Sequence, residues 1–294
     1  MNNKVLFGSD PEVFVINKTY KLSIPPIYFI INELINPIDN SDINHPVFYK
    51  DNDIKIIADG AAFEFNTRPT NNYIDYYNII QKGINILQNM IPEKYAVFVK
   101  PVVKFDLDKI VTDLSLMPLY QYACRFGCDR DIDIYSGLYS REVDATNIKN
   151  RFGGGHIHIS SSNDYEFDKY KNDPHNPNVI KQVKLFDIFI GNAFVLQSKY
   201  TYYDKNRQKY YGRPGKIRIQ NYGNCYGIEY RTPSNSWINN IESIETMFNY
   251  ANLSLDIYNS GDSDYIIDKY LNISIKNILS FDKESAKNIL KEFN

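Results

Sequence analysis

The chain has 294 residues, 43% of them hydrophobic, with 33 Lys and Arg against 35 Asp and Glu and three cysteines. That length can bury a sizeable core, and a net charge of −2 excludes a generally basic polyanion binder. Three thiols are too few for a disulfide framework or a four-thiolate zinc site, so a reducing compartment is expected. The opening Met1 to Asp10 meets Gly8 and Asp10 before an apolar leader could form, and no stretch reaches membrane-spanning length. Neither export nor membrane insertion is expected. The excess of Asn, Ile, Lys and Tyr fits an AT-rich coding genome, and 15% aromatic residues argue for an ordered fold.

A first strand is expected at Lys4–Phe7, continuing at Glu12–Ile16 beyond a Gly-Ser-Asp-Pro kink. Asp53–Ile57 and Ala61–Asn66 read as paired strands around the turn dipeptide Asp59-Gly60. Apolar residues at helical spacing, among them Tyr76, Ile79, Ile80 and Leu87, predict a helix over Asn72–Met90 that stops before Pro92. A strand over Tyr95–Val103 follows, then a polar, irregular stretch over 105–150, long enough to suggest a function. Beyond it come a strand at His156–Ser160, a helix over Val179–Thr201 and a basic, tyrosine-rich stretch ending at Arg218. A strand at Tyr226–Arg231, a helix at Ile241–Tyr258 and two short helices complete the chain. No repeat or linker divides it, so one α+β domain over 1–294 with a mixed or antiparallel sheet is expected.

Four segments concentrate chemistry. In Gly8-Ser9-Asp10-Pro11-Glu12, a regular strand would project both carboxylates from one face, where a hard cation could relieve their repulsion; a solvated turn is the alternative. In Asp59 to Asn66, alternation sets Glu64 between the core residues Phe63 and Phe65, with small neighbours that leave room for an ion; an ordinary wet sheet face is the alternative. In Arg151 to Ser160, Gly153-Gly154-Gly155 lets backbone approach a phosphate, while His156, His158 and Ser160 share one strand face and Ile157 and Ile159 the other. No Lys-Ser/Thr follows, so this is not a P-loop; a His-x-His zinc site or a mixed oxygen and imidazole site are both open. In Gly227 to Ser234, Glu229 and Arg231 share a face, pairing a carboxylate suited to metal with a guanidinium suited to phosphate, or forming only a surface ion pair. Upstream, Arg213, Lys216 and Arg218 stand near two glycines, as a polyphosphate clamp or a solvated loop.

Taken in order, Gly-x-Asp-Pro-Glu, Asp-Gly-x-x-x-Glu-x-Asn, Gly-Gly-His-x-His-x-Ser and Glu-x-Arg-x-Pro-Ser resemble the glutamine synthetase-like carboxylate–amine ligases, and most closely the phage-type family, type 2; glutamate–cysteine ligases are more distant members. The likeness runs from Gly8 to about Trp237. It implies a glutamine synthetase-like catalytic domain, a curved, mainly antiparallel sheet with helices on its outer face. It also implies ATP and Mg²⁺ (or Mn²⁺) as cofactors. Glu12 and Glu64 would hold one ion, with Asp59 beside them, and Asp10, His156 and Glu229 a second. His158 and Ser160 would lie on the nucleotide side, Arg231 would meet the transferred phosphoryl group or the substrate carboxylate, and Arg213 and Arg218 would assist.

The implied reaction joins a small-molecule or peptide carboxylate to an amine through an acyl phosphate, in the cytoplasm, the host's if the chain is phage or virus encoded, with no nucleic acid or membrane partner. Because the first motif starts at Gly8, no separate N-terminal domain is expected, and the amine-activating group stays open. The acidic run Cys128-Asp129-Arg130-Asp131 is the candidate for receiving the amine, a solvated loop being its alternative. Competing functions are a phosphotransferase, a non-catalytic phage or virion-associated protein on the same fold, and a metallohydrolase using His156 and His158. Cys124 and Cys128 have no second Cys or His pair nearby.

Overall fold

The structure, a computed structural model, describes residues 5–111, 114–121, 123, 130–141, 145, 148–161, 173–221 and 226–293. Cys124, Cys128, Asp129 and Cys225 lie outside them. The described strands are β1 Val5–Ser9, β2 Glu12–Asn17, β3 Ser23–Ile24, β4 Val47–Lys50, β5 Ile54–Asp59, β6 Ala62–Thr67, β7 Tyr95–Phe98, β8 Val102–Lys104, β9 Ile132–Asp133, β10 Leu138–Tyr139, β11 Asn150–Phe152, β12 Ile157–Ser161, β13 Lys216–Asn221 and β14 Tyr226–Tyr230. A first sheet runs β1-β12-β14-β13-β9-β10 and a second β3-β2-β6-β5-β4 with β7 beside β2, while β8 and β11 form a separate ribbon. Every pairing is antiparallel. The fold is α+β and antiparallel, as expected, with its strands shared between two main sheets.

The chain crosses from the first sheet to the second at Asp10-Pro11, between β1 and β2. Proline has no N–H to give a ladder, so pairing stops there. The strand is therefore not regular through this motif, and Asp10 and Glu12 serve different sheets. Pro101 acts likewise: the single strand expected at Tyr95–Val103 is two, β7 on β2 and β8 on β11.

Helix Tyr73–Met90 is capped by Asn72, whose side chain accepts from the Ile74 and Asp75 amides; it packs on the second sheet and buries Ile79, Ile80 and Leu87, while Tyr76 turns to Phe7 of β1, Trp237 and Phe248. Helices Pro177–Phe186 and Ile241–Ser260 pack behind the first sheet, with Ser263–Ser280 packed on Pro177–Phe186. The helix expected over Val179–Thr201 starts at Pro177, passes through a π-helical turn at Asp187–Gly191 and stops at Gln197. Ser198 ends it by bonding locally, accepting from the Tyr200 amide and donating to Asp204, and a separate helix, Thr201–Arg207, begins. The closing helices are Ser263–Ser280, 18 residues where a short one was expected, and Lys283–Lys291.

Facing these helices, Ile157, Ile159, Ile228 and Tyr230 are fully buried. A one-residue slip of β12 or β14 would expose isoleucines worth about 1.5–3 kcal/mol each and put His158 and Glu229 among the helices. The apolar face therefore fixes what the polar face displays. No helix among the described residues is long and apolar enough to cross a membrane.

Candidate active site

Strand register assembles the first half of the site. His158 lies opposite Gly8 on one side and Glu229 on the other, and Arg218 lies opposite Glu229, so these residues form one row across four strands. Asp10, just past β1, reaches over this row. Its Oδ1 is 3.2 Å from His156 Nδ1 and its Oδ2 is 3.2 Å from His158 Nε2. Donor atoms of Asp10, His158 and Glu229 all lie within 4.8 Å of one another. Glu229, fully buried, also receives Arg231 Nη1, Arg218 Nη2 at 3.0 Å and the Gln220 amide, and stands 3.3 Å from His156 Nδ1.

The second sheet supplies the other half. Glu12 and Glu64 are directly opposed on β2 and β6, and Asp59 ends β5 beside them. Glu12 is locked to the glycine run: its amide donates to Gly154 O at 2.9 Å, its Oε2 accepts from Gly154 N at 2.9 Å, and its carbonyl accepts from Asn235 Nδ2 at 2.6 Å. Glu64 Oε1 accepts from Asn66 Nδ2 at 3.0 Å.

Crowding sets the protonation of these groups. Burial, then the charge of Asp59, pushes the Glu12 carboxyl up to about 8. Burial and the charges of Asp10, Asp59 and Glu12 hold Glu64 well above the ordinary range. Burial and Asp10 push Glu229 up to about 7, in spite of Arg218. Burial works against Asp10 too, but His158 and His156 outweigh it and hold that carboxyl well below the usual range. Burial lowers His156; His158, less buried, is raised because Asp10 and Glu229 outweigh its burial.

The glycines explain why backbone and acids come so close. A Cβ on Gly154 would sit 2.6 Å from His156 Nε2 and 3.3 Å from Glu12 Oε1, so the missing side chain leaves a cradle between imidazole and carboxylate. His156 Nδ1 faces Asp10, Glu229 and, at 3.3 Å, Arg231 Nη1, which leaves Nε2 on the side of that cradle. Nε2 is buried with no hydrogen-bond partner among the described residues. Carboxylate oxygens and imidazole nitrogens converging on that cradle fit a divalent cation. At Gly155 a Cβ would meet Ser234 O at 2.5 Å and Asn235 Cα at 2.7 Å, both backbone, while Gly155 O is held by Trp237 Nε1 at 2.8 Å. Gly155→Ala is expected to cost about 2–3 kcal/mol through overpacking, read as a lower denaturation midpoint.

Among the predicted site residues, Asp10, His156, His158, Glu229, Arg218 and Arg231 meet in one cluster, and Glu12 and Glu64 face each other beside it. Ser160 is on the His158 face but opposite Leu6, one step farther from Asp10. The Arg213 side chain is exposed. Asp131, proposed to receive an amine, is buried and already engaged: its oxygens are 3.6 Å from Arg231 Nε and from Lys216 Nζ, and it accepts the Ser140 hydroxyl. It steadies Arg231 rather than opening to a ligand. Sequence reasoning missed this, and also Arg207, a buried cation whose Nη2 donates to Thr232 O and whose charge acts on Glu12 and His156. The one sequence signal for Arg207 was its place in the basic, tyrosine-rich stretch.

No family model matches the chain, and no curated protein matches it. Among solved structures it is similar to a bifunctional glutathione synthetase from Pasteurella multocida, with a TM-score of 0.44 and 12% identity over 99% of this chain and 49% of that one. A second, a novel glutamine synthase homolog, has a TM-score of 0.43 and 10% identity over 99% of this chain and 67% of that one. The chain spans about half the length of the glutathione synthetase.

Proposed function

We propose that the chain is an ATP- and Mg²⁺-dependent carboxylate–amine ligase acting through an acyl phosphate. The observation that carries this reading is the meeting of Asp10, His158 and Glu229 with the half-buried Arg218 and the buried Arg231, beside the opposed pair Glu12 and Glu64. The order of the four motifs along the chain supports it. Asp10, His158 and Glu229 would hold one divalent ion, and Glu12 and Glu64 a second, with His156 Nε2 turned toward Glu12. Bound there, such ions supply Lewis-acid neutralisation of crowded phosphate oxygens.

In the proposed reaction a carboxylate oxygen attacks the γ-phosphorus and the bond to the bridging oxygen breaks, releasing ADP. The amine nitrogen then attacks the acyl carbon, phosphate departs with one former carboxylate oxygen, and the nitrogen loses a proton. Arg231 and Arg218 present planar donor forks beside the cluster and stabilise charge on the phosphoryl group as it moves. Asp131 orients Arg231, and burial of the floor strands excludes water that would hydrolyse an activated acyl group.

The test is ADP release by the purified chain with ATP, Mg²⁺ and mixed carboxylates and amines. Turnover should require both co-substrates and yield a product smaller by one water than their sum. Phosphorylation of a carboxylate compound with no amine requirement would identify a phosphotransferase instead. Absence of Mg²⁺-dependent nucleotide binding would leave a non-catalytic protein.

A further inference from the structure

Next to this site lies a surface of opposite character. Between Lys199 and Arg218 the chain carries seven Lys and Arg residues and a single carboxylate, Asp204, in a molecule of net charge −2. Asp204 is buried and accepts the Ser198 hydroxyl at 2.6 Å, so it offers no charge to solvent. Helix Thr201–Arg207 and the turn after it set Tyr202, Lys205 and Lys209 at positions i, i+3 and i+7, on one face. All three are exposed, as are Tyr203 and Arg213. Tyr202 and Tyr203 are 70% and 46% exposed, with ring centroids 5.5 Å apart. Lys205, Lys209 and Arg213 have no ion-pair partner among the described residues.

This face is built rigidly onto the site. Arg207 at the end of the helix holds Thr232 O, Thr232 Oγ1 donates to Arg213 O at 3.0 Å, and Tyr211 OH donates to Phe152 O at 2.7 Å. Thr232 directly follows Arg231, so the basic face begins where the arginines of the cluster end. A prearranged surface of this kind needs little ordering when a partner binds.

We infer that the face formed by Tyr202, Tyr203, Lys205, Lys209 and Arg213 docks an acidic polypeptide, one of whose Asp or Glu side chains is the carboxylate the site activates. The inference rests on the ligase reading for that last step. A free small carboxylate would need only an arginine or two and would leave the helix face unused. A nucleic acid would satisfy the lysines and tyrosines but brings no carboxylate to the row of Arg218, Glu229 and Arg231. An acidic peptide satisfies both, its flanking carboxylates meeting the lysines while its backbone and methylene groups lie on the tyrosine rings.

Fluorescein-labelled deca-glutamate, titrated into the full chain without ATP or Mg²⁺ and followed by anisotropy, tests this alongside an oligothymidylate of equal charge. The peptide should bind more tightly than the oligonucleotide, and Lys205→Glu with Lys209→Glu should weaken it by about tenfold or more, since two exposed attractions become repulsions. The neutral pair Lys205→Gln and Lys209→Gln should give an intermediate loss. Tighter oligonucleotide binding, no peptide binding, or binding indifferent to both double variants would overturn the inference. Because no nucleotide is present, failure here is separate from failure of the ligase assay.

Discussion

Asp10→Asn should abolish Mg²⁺-dependent ATP turnover, lowering it by about 10³-fold or more, while leaving a folded protein. The side chains are nearly the same size, so packing at the Asp10-Pro11 crossing is kept. What is lost is the charge that faces both His156 and His158 at 3.2 Å. A preorganised group aimed at charge developing in the reaction is worth on the order of 10²–10³ in rate, and removing a carboxylate from the ion's donor set adds the loss of the ion itself. A thermal-shift titration gives the second readout. Mg²⁺ at a hundredfold excess over its dissociation constant should stabilise the unaltered chain by about 2.7 kcal/mol, and the Asn variant should show almost none of that. Retained turnover together with a retained Mg²⁺ shift would sink the assignment of Asp10.

Glu12→Gln should do the reverse for stability while still impairing catalysis. The Glu12 carboxyl titrates near 8 in the fold against an ordinary 4.5, so between those values the folded chain binds more protons than the unfolded one. The contribution of Glu12 to stability without metal is therefore greatest below about pH 4.5 and falls as pH rises toward 8. At about 1.4 kcal/mol per pH unit, the loss is on the order of 5 kcal/mol by pH 9. Glutamine cannot ionise, and its carbonyl can keep the bond from Gly154 N. In metal-free buffer at pH 8 the variant should be more stable by on the order of 3 kcal/mol once relaxation around a buried charge is allowed for, roughly 6–10 °C in Tm. Its stability should also depend less on pH between 5 and 8. Glu64 and Glu229 share the sign, so some pH dependence will remain. A variant no more stable than the parent at pH 8 would show that Glu12 is not held under electrostatic strain.

What the sequence showed in advance was what local periodicity can carry. Alternation along His156 to Ser160 and along Gly227 to Arg231 separated the isoleucines from the histidines, the acid and the arginine, and the structure keeps that division. Asn72, the helical spacing after it and Pro92 were enough for the helix that ends at Met90. Long-range register was not legible. Nothing local says that Gly8 lies beside His158, so the reach of Asp10 to both histidines could not be derived. Strands β9 and β10, two residues each, are too short to show a period, and with them went Asp131 and its hold on Arg231. The expectation that Asp10 and Glu12 share one face failed because a proline between them moves the chain from one sheet to the other.

That crossing also sets the order in which the molecule comes into being. The hairpins β5–β6 and β13–β14 close short loops, whereas Gly154 reaches Glu12 across 142 positions and Asn235 reaches it across 223. Loop-closure entropy places such distant joins late in folding. During synthesis Asp10 and Glu12 emerge well before His156 and His158, and these well before Arg231 and Asn235. Until Glu229, Arg231 and Asn235 have left the ribosome the acids have their histidines but neither the third carboxylate nor the arginine and the tie to Asn235, so a chain interrupted before that point has strands but no complete cluster.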